Sequence, residues 1–297
     1  MNHPVLAGVD GSTDSAAAAD WAAREAVLRG VPLRLVHASP LLPGTAGAVP
    51  AVDRLHDMGE RMLLRAVAEL SDRYPDLEVR GEQADEAPAA ALLAAARSAG
   101  VLVVGARGTG GFEGLAVGSV ALRMAAAAPC PVVLVPQRPA GTFGDGTLGA
   151  RGAAPVVVGC AAPHPSGEAA AVAFSAAEAR GADLLAVRAW ALPAESVSAG
   201  TLVVTEEDRA TWEDQEVLRL SDDLRAWQEK YPQVTVRTDV RLLHPAEALL
   251  NTSEGAELLV VGRRIDPRAA EGRLGPVAHA VLHHTRCPVA VVPHADR

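Results

Sequence analysis

The chain has 297 residues, of which 49% are hydrophobic and 21% charged, values typical of a folded protein of one or two domains rather than a disordered one. Its formal net charge is −9, which argues against non-specific nucleic-acid binding, because such binding depends on neutralising phosphates. Three cysteines are too few for a disulfide framework, and without a leader pattern or a membrane-length apolar run we expect a cytoplasmic protein with no membrane span.

The first half of the chain alternates strand-like and helix-like segments. Short aliphatic runs bounded by Gly or Pro predict strands, and apolar residues at helical spacing predict helices. In chain order we predict a strand at Val5–Val9, a helix at Ser15–Arg29, a strand at Leu33–Ala38, a loop at Ser39–Val52, a helix at Arg54–Arg73, a strand at Glu78–Glu82, a helix at Pro88–Ser98, a strand at Val101–Gly105, a helix at Val120–Ala127 and a strand at Pro131–Val135.

The second half repeats this order. Cys130-Pro131-Val132 recurs as Cys287-Pro288-Val289, and from Tyr74 onward the matching residues lie 157 positions apart. The predicted segments are Val156–Gly159, Ser166–Arg180, Leu184–Trp190, Trp212–Tyr231, Val234–Val240, Pro245–Ser253, Leu258–Gly262, Val277–His284 and Val289–Val292. We therefore predict a first domain at residues 1–138, a Gly-rich linker at 139–152 and a second domain at 153–297.

Alternating strands and helices predict the fold class. They imply right-handed crossovers and parallel strands covered by helices on both faces, and short all-aliphatic strands are typical of such buried sheets. We expect an α/β protein with two tandem doubly wound domains. Each would have a five-stranded parallel sheet in the order 3-2-1-4-5.

Two segments of the first half follow strands and should meet at one edge of the sheet, where doubly wound folds bind ligands. One is Val9-Asp10-Gly11-Ser12, whose carboxylate can accept hydrogen bonds from a ribose diol. The other runs from Gly105-Ala106-Arg107-Gly108 to Gly118-Ser119-Val120, with nine residues between. Its glycines let backbone approach a phosphate, Ser119 is placed to cap the next helix, and Arg107 adds a positive charge. A turn glycine and a helix-capping Asp are the purely structural alternatives.

The spacing Gly105-x2-Gly108-x9-Gly118-Ser119, with the opening Gly8–Ser12 and the closing Cys130–Pro136, resembles the universal stress protein family. Because both repeats match, the chain is similar to the tandem actinobacterial type. The resemblance implies that the first domain binds ATP with Mg²⁺, that Asp10 holds the ribose and that backbone at His37 and Ala38 recognises adenine. The further residues implied around the nucleotide are Val9, Gly11, Ser12, Gly105, Arg107, Gly108, Gly118, Ser119 and Val120.

The resemblance also carries expectations about partners. Family members dimerise through their last strands, so Pro131–Val135 and Val289–Val292 are expected to pair, within one chain or in a homodimer. Pairing would also remove an unpaired apolar edge, which is an aggregation hazard. The implied function is stress-response regulation, in which nucleotide occupancy of the first domain alters contacts with a regulatory protein partner.

The second half departs from the motif. Ala161-Ala162-Pro163 replaces Asp10-Gly11-Ser12, Ile265 replaces Gly108 and Pro276 replaces Ser119. Loss of the aspartate removes a charged hydrogen bond, a branched side chain obstructs phosphate, and proline removes an amide donor. We predict that the second domain binds ATP poorly or not at all.

Two other functional classes remain open: a slow ATPase, and a structural interaction module without nucleotide turnover. The sequence lacks the GxxxxGK[ST] loop and its phosphate-binding lysine, and we assign no catalytic residue. Three histidines, His279, His283 and His284, share a predicted helix, but a solvated face is a better interpretation than a metal site. The cysteines are expected to be small buried side chains.

Overall fold

A computed structural model describes residues 3–39, 49–109, 116–136, 154–161, 166–191, 205–266 and 272–295. The predicted linker at 139–152 lies outside these ranges, as do Ala162 and Pro163 and most of the predicted loop at 39–52. Within the described ranges, no helix combines the length and apolarity needed to cross a membrane.

Strands and helices alternate through both halves. The first half contains β1 (Val5–Gly8), α1 (Thr13–Arg29), β2 (Leu33–Ala38), α2 (Val49–Arg73), β3 (Val79–Ala84), α3 (Pro88–Ala96), β4 (Val101–Gly105), α4 (Ser119–Ala127) and β5 (Val132–Val135). The second contains β6 (Val156–Gly159), α5 (Gly167–Arg180), β7 (Leu184–Trp190), α6 (Glu206–Lys230), β8 (Val236–Leu242), α7 (Pro245–Thr252), β9 (Leu258–Arg264), α8 (Pro276–His284) and β10 (Val289–His294).

All these strands form one sheet of ten strands, in the order β3-β2-β1-β4-β5-β10-β9-β6-β7-β8. Within each half the strands are parallel and follow the predicted order 3-2-1-4-5. The halves join where β5 and β10 pair antiparallel, with Val133 opposite Ala290. The predicted fold class and the pairing of the last strands within one chain are therefore confirmed.

Aliphatic strands and alanine-rich helices build the core on both faces of the sheet. The central strands are buried along nearly their whole length, as in Val101–Val104 and Val132–Val135. Helices α1 and α5 supply small side chains such as Ala22 and Ala173, which are fully buried. Small side chains let helices pack close to a sheet, which explains how a core with only 3% aromatic residues is filled.

Most predicted helix starts are within two residues of the observed ones, but two helices begin five or six residues earlier than predicted. Helix α2 starts at Val49, inside the predicted loop, because a proline such as Pro50 is tolerated in the first turn of a helix. Helix α6 starts at Glu206 rather than Trp212, because Thr205 and Asp208 form a reciprocal capping box. Glu206, Glu207 and Asp208 therefore form an acidic first turn of this helix, where negative charge is favourable.

Buried charges also connect the halves. Arg180 of α5 and Glu25 of α1 are 7% and 2% exposed and form an ion pair. The other carboxylate oxygen of Glu25 accepts a 2.6 Å hydrogen bond from Arg29 Nε, and the Arg180 guanidinium lies 5.6 Å from the centre of the Trp21 ring. A second contact between the two halves joins Arg263 of β9 to the residue after α4: Arg263 Nη2 donates to the carbonyl of Ala128 at 2.7 Å. No motif in the sequence indicates these contacts.

Candidate functional site

Asp10 lies just beyond β1, at the edge of the sheet where the strand order reverses between β1 and β4. Its Oδ1 accepts hydrogen bonds from the Ser12 backbone N–H at 3.0 Å and from Ser12 Oγ at 2.6 Å. Its Oδ2 accepts one from the Thr109 N–H at 3.0 Å, which joins the ends of β1 and β4. A carboxylate has about four acceptor positions, and the described residues donate two hydrogen bonds to Oδ1 and one to Oδ2.

The turn after Asp10 holds this carboxylate in place. Gly11 has a φ of +82°, a left-handed conformation that favours glycine. Ser12 then caps α1 by accepting a hydrogen bond from the Ser15 N–H. Burial acts to raise the pKa of Asp10, but the hydrogen bonds from Ser12 and Thr109 outweigh it and hold the pKa below its usual 3.8. Asp10 is therefore ionised at neutral pH.

A second carboxylate at this edge, that of Asp14, was not predicted from the sequence. It lies in the first turn of α1, is only 5% exposed, and its Oδ2 accepts a 3.1 Å hydrogen bond from the Arg107 N–H. One feature of the sequence could have indicated Asp14: it is an acidic residue in the first turn of the helix that follows β1. Asp14 fixes the loop after β4, whereas Arg107 itself is exposed.

Gly105 permits this contact because a side chain there would strike the backbone of Asp14. A Cβ at position 105 would lie 2.7 Å from the Asp14 carbonyl carbon and 2.8 Å from its oxygen. We expect Gly105→Ala to lower the free energy of unfolding by about 1–3 kcal/mol through overpacking, measured by urea denaturation. Gly167→Ala is the control, since its Cβ would meet nothing within 4 Å. Equal stability of the two variants would contradict this account.

The remaining glycines line the same edge. A Cβ on Gly108 would lie 2.5 Å from Asp10 Oδ2, so only glycine fits against that carboxylate. Gly118 donates its N–H to the Ala106 carbonyl at 2.7 Å and is itself the N-cap of α4. The predicted capping role of Ser119 is wrong, because the helix begins at Ser119 and no side chain caps it. Ser119 and Val120 instead occupy its first turn.

His37 and Ala38 end β2 beside the same edge. His37 Nδ1 lies 2.9 Å from the Val9 carbonyl oxygen; because a carbonyl only accepts, Nδ1 carries the hydrogen. Gly59 of α2 faces this ring, since a Cβ there would lie 2.7 Å from His37 Nε2 and 3.1 Å from Gln83 Nε2. Gly59 and Gln83 were not predicted.

The structure thus places Val9, Asp10, Gly11, Ser12, His37, Gly105, Gly108 and Gly118 at the carboxyl ends of neighbouring strands or at the start of the helix beside them. We call the group Asp10, Gly105, Gly108 and Gly118 the strand-end site. Ser119 and Val120 follow directly from it, and Ala38 follows His37. The segment at 110–115, within the glycine motif, is outside the described residues.

The corresponding edge of the second half is filled by charges. Arg188 of β7 corresponds in position to His37 of β2. The residue before each of them accepts an equivalent backbone hydrogen bond: Val187 O from the Cys160 N–H, and Val36 O from the Val9 N–H. Arg188 is fully buried, and its Nη2 donates to Asp223 Oδ2 at 2.7 Å and weakly to the Ala161 carbonyl at 3.5 Å. Glu216 lies 3.7 Å from Nη1 and stands where α2 has Gly59. We call Arg188, Glu216 and Asp223 the Arg188 cluster.

The structure also locates the three histidines and the three cysteines named in the sequence analysis. The rings of His279 and His283 lie 4.5 Å apart, but no group of three metal-ligating side chains occurs in the described part of the chain. All three cysteines are buried, and burial raises the pKa of Cys130 to about 11 and of Cys160 to about 12. Such thiols stay protonated at neutral pH and behave as small apolar side chains, as predicted.

The family model, the similar sequences and the similar structure all come from one protein family. A sequence model of the universal stress protein family matches residues 1–136 and 154–293. Universal stress protein Rv2005c of Mycobacterium tuberculosis is 33% identical over 298 residues, covering 97% of this chain and 96% of the relative. Rv2623 of the same organism is 32% identical, covering 97% and 95%. A universal stress protein from Archaeoglobus fulgidus has a similar fold, with a TM-score of 0.68 over 98% of each chain at 15% identity.

Proposed function

The chain belongs to the universal stress protein family, and on that premise we propose that it is an ATP-binding regulator of the stress response. In this proposal the first domain, residues 1–138, binds ATP with Mg²⁺. Residues 139–152 link it to a second domain, residues 153–297, that does not bind nucleotide. The observation that carries the proposal is the position of the Asp10 carboxylate, which Ser12 and Thr109 hold directly against Gly108 of the glycine loop.

The strand-end site and the residues that adjoin it, Arg107, Ser119 and Val120, suit different parts of a nucleotide. A carboxylate oxygen can accept more than one hydrogen bond, so Asp10 Oδ2 would take a further one from a ribose hydroxyl. The first-turn N–H groups of α4, at Ser119 and Val120, attract phosphate because they lack partners within the helix. Exposed Arg107 adds positive charge at the same loop. Mg²⁺ would bind through the phosphates and water rather than a dedicated set of side chains.

The second domain lacks these features. Ala161 has no carboxylate, Ile265 carries a branched side chain at the Gly108 position, and Pro276 starts α8 without an N–H. The Arg188 cluster adds a further obstacle that the sequence motif did not indicate, because it fills the strand ends with a buried guanidinium. The proposed protein therefore has one nucleotide site in each chain.

Regulation requires only that ATP favour one conformation over another. A ligand shifts such an equilibrium by its difference in affinity for the two states. Helix α1 begins at the strand-end site with Ser12 and Asp14 and contacts the second half through Glu25. It is therefore the element through which occupancy would alter the surface presented to a partner protein.

Calorimetric titration of the nucleotide-free full chain with Mg·ATP tests this proposal. We expect saturation at one site per chain and a 10- to 150-fold weaker affinity for Asp10→Ala, since a hydrogen bond to a charged group contributes about 1.5–3 kcal/mol. Asp76→Ala, a change to an exposed carboxylate between α2 and β3, should leave the affinity unchanged. Two sites would refute the asymmetry of the domains, and absence of binding would refute the nucleotide function.

A further inference from the structure

Helix α4 runs from the strand-end site of the first half towards the second half. Gly118 is its N-cap, so the first-turn N–H groups of Ser119 and Val120 lie beside the strand-end site. The helix has nine residues and is about 14 Å long. Since β4 and β5 are parallel, α4 runs back between them to the opposite edge of the sheet. The antiparallel junction places the carboxyl ends of β9 and β10 at that edge, so the far end of α4 lies close to the second half.

Arg263 of β9 holds this far end. Its Nη2 donates to the carbonyl oxygen of Ala128, the C-cap residue of α4, at 2.7 Å. Both residues are buried, with Arg263 6% exposed and Ala128 0%, and a carbonyl at a helix end has no donor within the helix. Burial lowers the pKa of Arg263, and no carboxylate in the described part of the chain opposes this effect. The guanidinium stays charged at neutral pH, and the negative end of α4 is its partner.

Gly272 brings a second segment of the second half against the same end of α4. A Cβ on Gly272 would overlap the carbonyl oxygen of Ala126 and would lie 2.7 Å from its carbonyl carbon. The nearest atoms are all backbone, so no change of side-chain rotamer could relieve the overlap. The last turn of α4 therefore packs directly on the backbone of the second half.

Both contacts come from the degenerate glycine motif. Arg263 and Gly272 lie within the segment Gly262–Gly275, which corresponds to Gly105–Gly118 at the repeat spacing of 157 positions. In the first half that segment adjoins the proposed phosphate site. In the second half it holds the end of a helix that starts at the phosphate site of the first.

We propose that Arg263 is a positioning residue for the nucleotide phosphates, an inference that rests on the proposed ATP site. By holding the carboxyl end of α4, Arg263 fixes the axis of the helix and hence the direction of the N–H groups of Ser119 and Val120. Hydrogen bonds weaken steeply with distance and angle, so a tilt of α4 moves these donors out of reach of phosphate oxygens. The second half thereby contributes to a nucleotide site that it does not line.

The test compares ATP with adenosine, which has the base and the ribose but no phosphate, by calorimetry on the full chain. We expect Arg263→Met to bind ATP about 3- to 10-fold more weakly, the value of about one hydrogen bond, and to bind adenosine as the parent does. Arg263→Lys keeps the charge and a donor, so it should bind ATP more tightly than Arg263→Met. Arg237→Met, at an exposed ion pair of the same half, should leave both affinities unchanged.

The outcomes separate this inference from the function on which it rests. If ATP binding depends on Asp10 but is the same in Arg263→Met and the parent, Arg263 does not position the phosphates and the ATP site stands. If Arg263→Met weakens ATP and adenosine equally, Arg263 only supports the fold, and the inference is likewise overturned. If the parent binds no ATP, the inference and the proposed function both fail.

Discussion

Replacement of Glu25 by Ala is expected to lower the free energy of unfolding by about 3–5 kcal/mol, because it leaves the buried Arg180 guanidinium without its carboxylate. Arg180 is 7% exposed and the acid 2%, so solvent does not compensate the lost partner. Urea denaturation measures the effect. The control is Glu78→Ala, whose ion pair with Arg80 is exposed and should contribute less than about 1 kcal/mol. Equal losses for the two variants would contradict the assigned role.

The same pair predicts a pH dependence. Burial acts to raise the pKa of Glu25, but Arg180 and Arg29 outweigh it and hold the pKa below its usual 4.5. Its stabilisation is therefore present above about pH 4.5 and is lost as the pH falls through the folded-state pKa. The stability difference between the parent and Glu25→Ala should shrink over that acid range.

The double variant Glu25→Leu/Arg180→Leu should lose less stability than Glu25→Ala, because no buried charge is left unpaired.

Replacement of Arg188 by Met is the second change with a large expected effect. It preserves most of the side-chain volume but removes the cation between Asp223 and Glu216, which are each 15% exposed. We expect a loss of about 3–5 kcal/mol in the free energy of unfolding. The control in the same half is Arg237→Met, whose pair with Asp183 is 72% and 41% exposed and should contribute little. A loss no greater than the control's would mean that the Arg188 cluster is not a structural ion network.

The strands and the two halves were predictable because they depend on local aliphatic runs and on repetition, whereas the pairing of the halves was implied by the resemblance to a family. Element boundaries were less predictable. Pro50 resembles a loop residue but is tolerated in the first turn of α2, and the Thr205–Asp208 capping box lies outside the apolar pattern used to find α6.

The candidate site was predictable only in part. Asp10 and the glycines follow strands, so their shared edge could be inferred from topology. Asp14, Gly59 and Gln83 have no motif, because their roles depend on contacts between distant segments. The ion pair between Glu25 and Arg180 was not predicted for the same reason, since the two residues are 155 positions apart. The capping role of Ser119 was wrong because the helix was predicted to begin at Val120. It begins one residue earlier, so Gly118 rather than Ser119 is the N-cap.

The antiparallel junction of β5 and β10 has a geometric consequence for the connection between the halves. It turns the second half around, so the carboxyl ends of β6 to β9 point to the edge opposite the strand-end site. The amino end of β6 therefore lies at the same edge as the carboxyl end of β5, three strand spacings or roughly 14 Å to the side. The last residue of β5, Val135, and the first residue of β6, Val156, therefore both lie at the edge that carries Asp10, so the two strand ends that the chain must connect are on one side of the sheet.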